Sequence, residues 1–148
     1  MDAITLLKHD HDEAKALFKK LEQVEGPPAA KLFGELKAAL SLHEELEETH
    51  MYPQLKADPK AHDLILEAYQ EHHVMDLLLE EISRLRPSDE TWAPKIKVLQ
   101  ENTEHHIEEE EGDLFPKVQK IWGKERLEEV GQKMEQLHKA RKAATSAA

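Results

Sequence analysis

The sequence contains no cysteine. Disulfides, thiolate metal sites, iron–sulfur clusters and cysteine nucleophiles are excluded together. Glycine is scarce, with 5 residues, and aromatics make up only 5% of the chain. The apolar residues are mostly Leu and Ala with few β-branched ones, a balance that favours helix over strand. No apolar run is long enough to cross a bilayer, and Met1 to Lys8 lack the basic-then-apolar pattern of a secretory leader. A cytoplasmic location is the expectation. Basic surface is also short, because the net charge is −11. Nucleic-acid backbones and anionic membranes both require such a surface, so neither is an expected partner.

What is present is histidine, 10 residues in a chain of 148. Six of them fall in close pairs: His9/His11, His72/His73 and His105/His106. The length suits one domain with a real core, and we read residues 1–148 as a single domain. The apolar spacing predicts four long amphipathic helices. The first is capped by Asp2 and carries Ile4, Leu7, His11, Ala14, Phe18 and Leu21 on one stripe, which excludes His9. Gly26-Pro27-Pro28 separates it from a second helix with Phe33, Leu36, Leu40, His43 and Glu47 in phase. Asp58-Pro59 predicts the start of a third, reaching about Arg86, with Ile65, Tyr69, His72, Met75 or Asp76, Leu79 and Ile82. Ser88 or Thr91 can cap the fourth, which carries Trp92, Ile96, Leu99, Thr103, His106 and Glu110. Short connections between such helices imply an all-α, up-down-up-down four-helix bundle over about residues 3–120. An additional C-terminal helix follows over about 124–142, and Ala143 to Ala148 read as frayed.

In the second and fourth helices the apolar stripe turns polar without changing phase. His43 and Glu47 stand four apart, followed by Tyr52-Pro53; His106 and Glu110 stand four apart, followed by Phe115-Pro116. Residues four apart share one helix face. A lone HxxxE says little, since about 1.6 such pairs are expected by chance from this composition. Four occur, and His9–Glu13 and His105–Glu109 lie off the stripes and read as solvated. The other two pairs are related by an internal repeat. His43, Glu47 and Pro53 map onto His106, Glu110 and Pro116 at an offset of 63, and His11 maps onto His72 at 61.

Burying four imidazoles and two carboxylates costs several kcal/mol per unpaired group, a cost that a bound cation removes. Imidazole and carboxylate without sulfur suit iron, manganese or zinc. The candidate metal ligands are therefore His11, His43, Glu47, His72, His106 and Glu110. By helix proximity His11 groups with His43, and His72 with His106, with Glu47 and Glu110 bridging. Glu44, Glu45, Glu48, Glu108, Glu109 and Glu111 read as a solvated acidic face. His50 reads as partly exposed, Tyr69 as core packing, His62 and His138 as surface residues, and Trp92 and Trp122 as plugs of the bundle ends.

These residues resemble the hemerythrin family, and specifically the bacterial HHE cation-binding domains. The family pattern H…HxxxE…H…HxxxE falls on His11, His43, Glu47, His72, His106 and Glu110. Lys8-His-Asp-His11, Glu71-His72 and the Glu-rich run ending Gly112-Asp-Leu-Phe-Pro116 resemble the family's flanking text. The resemblance covers about residues 3–120. It implies two iron ions, oxo- or hydroxo-bridged, with zinc or manganese as substitutes. It also implies binding of dioxygen or related small molecules, such as peroxide or nitric oxide. Oxygen carriers of the family have a further histidine one turn after the third-helix ligand, where this chain has Asp76. Asp76 either ligates or leaves that iron more open. Two functional expectations follow: a di-iron module for dioxygen binding, sensing or iron handling, or a di-iron enzyme that decomposes peroxide or acts in nitric-oxide or oxidative-stress defence. A monomer or small homo-oligomer is expected.

Overall fold

The computed structural model describes residues 1–147, with side chains through residue 144. The elements are α1 (Ala3–Leu21), α2 (Pro27–His50), a one-turn α3 (Tyr52–Lys56), α4 (His62–Ser83), α5 (Trp92–Glu109), a π-helical turn (Glu110–Leu114) and α6 (Phe115–Ala147). No strand occurs among the described residues.

Local chemistry sets most boundaries. Asp2 caps α1: its Oδ1 accepts from the Thr5 backbone N–H at 3.0 Å and its Oδ2 from the Thr5 hydroxyl at 2.9 Å. Gly26 takes a positive φ of 67° that other residues reach only with strain, and Pro27 and Pro28 occupy the first turn of α2. Asp58-Pro59 does not open α4. The Asp58 carboxylate accepts from the Lys60 N–H at 2.8 Å and its carbonyl from the Ala61 and His62 N–H groups, which makes a turn and delays the helix to His62. Thr91 is the N-cap of α5, but its hydroxyl donates to Asp89 and caps nothing. Gly123, with φ 71°, breaks α6 into a continuation of the fourth bundle helix and the expected C-terminal helix. That helix runs to Ala147 rather than fraying from Ala143, and Ala148 lies outside the described residues.

α1 packs on α2, α2 on α4, α4 on α5 and α5 on α1, and α6 lies across α1 and α2. The core has two apolar clusters. One holds Leu7, Leu46, Met51, Tyr52, Leu55, Ile65, Phe115 and the α6 residues Leu127, Val130 and Met134. The other holds Phe18, Phe33, Leu36, Leu40, Leu79, Ile82, Trp92 and Leu99. Each bundle helix passes from one cluster to the other through a polar residue: Leu7–His11–Ala14, Leu40–His43–Met51, Ala68–His72–Met75 and Leu99–His106–Leu114. Successive helices make that crossing in alternating directions. A polar layer is thus sandwiched between two hydrophobic ones. The helices are held in place by the apolar burial on both sides of it.

Candidate metal centre

The sandwiched layer contains His11 from α1, His43 and Glu47 from α2, His72 from α4, His106 from α5 and Glu110 from the π-turn. None of the six exceeds 5% exposure. Their inward atoms converge. His11 Nε2 lies 3.0 Å from Glu110 Oε1, and His106 Nε2 lies 3.3 Å from the same oxygen. Glu47 Oε1 lies 3.1 Å from His72 Nε2 and 3.2 Å from His43 Nε2. Two groups of three donors emerge, His11 with His43 and Glu110, and His72 with His106 and Glu47, the members of each within 4.8 Å of one another.

The outward ring nitrogens are also engaged. His11 Nδ1 donates to Glu111 at 2.6 Å, His43 Nδ1 to Asp10 at 3.0 Å, His72 Nδ1 to Glu48 at 2.8 Å and His106 Nδ1 to Glu71 at 2.6 Å. A carboxylate can only accept, so each ring carries a proton on Nδ1, and Nε2 meets the inner carboxylates either with a second proton or across a bound cation. Carboxylate behind imidazole is the usual support of a metal-ligating histidine.

The inward side is under-satisfied by protein alone. His72 Nε2 and His106 Nε2 face each other at 3.2 Å, two lone pairs in contact unless a proton or a cation intervenes. His43 Nε2 and Glu47 Oε2 are buried without a hydrogen-bond partner among the described residues. Four inward imidazoles around two carboxylates, sulfur-free, fit a divalent transition metal such as iron, manganese or zinc.

The stretch 2–118 matches the family described as Hemerythrin HHE cation binding domain. The chain belongs to the hemerythrin HHE cation-binding domain family. It is 27% identical to a crystallographically determined hemerythrin HHE cation binding domain-containing protein from Mycobacterium kansasii, with a TM-score of 0.85 over 99% of this chain and 91% of that one. It is also 28% identical, over 130 residues, to a protein named DNA nickase from Nostoc sp. (strain PCC 7120 / SAG 25.82 / UTEX 2576). That match covers 87% of this chain but only 37% of the relative's length.

The electrostatics of this HHE centre show protons competing for the places a metal would take. Burial disfavours a charged His43 or His106, but the facing carboxylates outweigh it and raise both well above the ordinary imidazole value; His72 is raised in the same way. Burial and its neighbour Glu110 push Glu47 up, yet the imidazoles hold it down, at about 2. Glu110 is likewise held well below the ordinary carboxylate range.

Several residues play parts that the sequence reading missed. Glu48 and Glu111 are only part-exposed and brace His72 and His11, and Glu44 is buried, at 5% exposure. Burial and the neighbouring Asp76 carboxylate push Glu44 up to about 10. Asp10 and Glu71 entered the sequence reading only as text flanking the histidines, with no role assigned. The repeat itself carried the missing signal: Asp10 maps onto Glu71 at the histidine offset of 61, and Glu48 onto Glu111 at the glutamate offset of 63. Every supported histidine thus has a supported copy.

The aromatic–proline pairs enter the site as well. Tyr52 stacks on His72 at 5.2 Å and its copy Phe115 stacks on His11 at 5.7 Å. Tyr52, fully buried, donates to Glu110 Oε2 at 2.7 Å and lies 3.1 Å from Glu47 Oε1. Tyr69 packs edge-on against Tyr52 and does not reach the centre. Each half interrupts its helix between the glutamate and the proline, by a break at Met51 (φ −127°) in the first and by the π-turn in the second. A proline inside a regular helix would lack a donor for, and clash with, the carbonyl four residues earlier. The interruptions also bring the aromatic rings over the histidines. Asp76 is exposed and pairs with Glu44 rather than with the centre. His9 and His73 are exposed, and His105 is 61% exposed beside Glu109. His50 is half-buried, His62 is tied to the Lys56 carbonyl at 2.8 Å, and among the described residues no helix is long and apolar enough to cross a membrane.

Proposed function

We propose that this protein holds two iron ions, which would be held one at each three-donor group, with Glu47 and Glu110 each facing histidines of both groups, and that it interacts there with dioxygen or a related small molecule. The observation that carries this is the two-layer polarity of the four histidines: every Nδ1 is tied to an outer carboxylate and every Nε2 is turned inward. Iron, when bound, supplies the redox and small-molecule-binding chemistry. The protein orients the imidazoles through Asp10, Glu48, Glu71 and Glu111, and its two apolar clusters exclude bulk water. Asp76 belongs to neither three-donor group, so each keeps two histidines and one glutamate.

A second reading, peroxide decomposition, is favoured by Tyr52. Its buried hydroxyl donates into the centre and can hold a proton at Oη beside whatever binds there. The phenol is held well above its ordinary pKa by burial and by Glu110 and Glu47, so it stays protonated. The nickase named among the relatives is much longer than this chain, and with a charge of −11 we propose no nucleic-acid role here.

Anaerobic iron loading followed by metal analysis tests the dinuclear reading, with close to two irons per chain expected and one or none refuting it. An optical spectrum before and after air and peroxide then separates the readings. A reversible oxygen-dependent band favours binding, and rapid peroxide consumption favours turnover. Incubation with supercoiled DNA and Mg²⁺ should leave it unnicked; nicking would overturn the statement on nucleic acid.

A further inference from the structure

Outside the histidine layer, the α2–α4 face has a groove of about 480 Å³ lined by Glu44, Glu48, Asp76, Glu80 and Lys37. Its carboxylates are graded in depth. Asp76 is exposed at the rim, Glu48 is 38% exposed, and Glu44 is 95% buried at the floor. The cations nearby pair with other acids: Lys37 with Glu80 of the groove wall at 3.5 Å, and Arg141 with Glu45. The Asp76 carboxylate lies against Glu44, an arrangement of like groups that needs a proton or a cation between them. Glu44 Oε1 is buried with no hydrogen-bond partner among the described residues. Donor atoms of Glu44, Glu48 and His72 lie within 4.8 Å of one another, so the groove floor abuts the ring that faces the centre from α4.

The internal repeat shows that helix packing does not demand these acids. At the offsets that relate the two halves, Glu44 corresponds to Ile107 and Asp76 to Lys15. Ile107 is buried at 3% exposure, so an apolar residue serves the same packing position on the other half. The acidic pair exists on one face only.

We infer that Glu44, Glu48 and Asp76 form a second cation site, a carboxylate station where a divalent metal ion is taken up before it passes to the His72 side of the centre. The delivery role rests on the dinuclear reading above. An all-oxygen donor set binds a divalent transition ion more weakly and exchanges it faster than the imidazole-rich centre, as a loading station requires. Exposed Asp76 meets the hydrated ion, and Glu44 replaces part of its water shell at the floor.

The test uses Mn²⁺ and the metal-free full-length protein, with equilibrium dialysis and manganese electron paramagnetic resonance at neutral pH. Wild type should bind two tight equivalents and a third at least roughly tenfold weaker. Glu44→Gln with Asp76→Asn should lose the third, keep the first two, and fill them at least roughly fivefold more slowly from low Mn²⁺. Asp76→Asn alone, at an exposed position that folding tolerates, should weaken the third equivalent. Glu101→Gln, exposed on α5, should change neither stoichiometry nor rate. A third equivalent that survives the double substitution, or a wild type that binds only the tight pair, would overturn the station. A weak equivalent lost in the double variant, with no tight pair in either protein, supports the carboxylate site and overturns the dinuclear reading instead.

Discussion

Replacing Glu47 by Gln keeps the side-chain volume and removes only the charge and one carboxylate oxygen. The carboxylate is 0% exposed and faces His43 at 3.2 Å, His72 at 3.1 Å, His106 at 3.8 Å and the Tyr52 hydroxyl at 3.1 Å. In the metal-free protein it is a main counter-charge for imidazoles whose pKa values are raised by it. Removing one partner of such a buried set costs about 3–5 kcal/mol, because the remaining charges stay buried and unpaired. Gln retains one carbonyl acceptor, which places the cost at the lower end, about 3 kcal/mol. For a chain of this size that lowers the melting temperature by roughly 6–12 °C. The metal count should fall below two per chain, since an amide is a poor bridging ligand. Thermal melts with and without metal, paired with metal analysis, measure both quantities. Glu109→Gln, one residue before Glu110 and half-exposed, is the control for a neighbouring acid. An unchanged melting temperature and two metals in Glu47→Gln would refute the placement of Glu47 between the two groups.

Three further expectations follow from the same geometry. The raised imidazoles of His43, His72 and His106 contribute stability that is fully present below about pH 6.5 and lost as pH rises through their folded values, and raised Glu44 acts in the same direction. The depressed Glu47 and Glu110 contribute stability present above about pH 4.5 and lost on acidification. Metal-free protein should therefore melt lower at pH 8 than at pH 6, whereas metal loading should release protons and tighten with pH; an apo melting temperature that rises from pH 6 to 8 contradicts this. Tyr52→Phe makes the first half chemically like the second, where Phe115 stands; it should destabilise metal-free protein by about 1.5–3 kcal/mol through the lost charged hydrogen bond, and slow any peroxide consumption. If rate and stability both stay at wild-type values, Tyr52 is only packing. Gly131→Ala should destabilise by about 1–3 kcal/mol in chemical denaturation, because a Cβ there would meet the backbone of Met1, Asp2 and Ala3 where α6 crosses the N-terminus.

Periodicity made the bundle legible, because a 3.6-residue stripe must be buried whatever its neighbours are. His11 and not His9, and His72 and not His73, follow from phase alone, and the structure buries the in-phase member of each pair. The missed boundary at Asp58-Pro59 shows the limit of local signals: the same Asp that can cap a helix can also close a turn, and here its carboxylate reaches the Lys60 N–H. What tertiary structure decided was the fate of the acids between the candidate ligands. Glu45 and Glu48 stand three apart on one helix and look alike in sequence. Only the placement of α4 beside α2 sends Glu48 to His72, while α6 brings Arg141 to Glu45. Likewise Tyr52 and Tyr69 are both aromatic residues near candidate ligands, and only the break at Met51 turns the first hydroxyl into the centre. Which side chains are buried is a one-dimensional property of helix phase. Which partner each buried or half-buried polar atom finds depends on the distance between helices far apart in the chain, and no stripe carries that information.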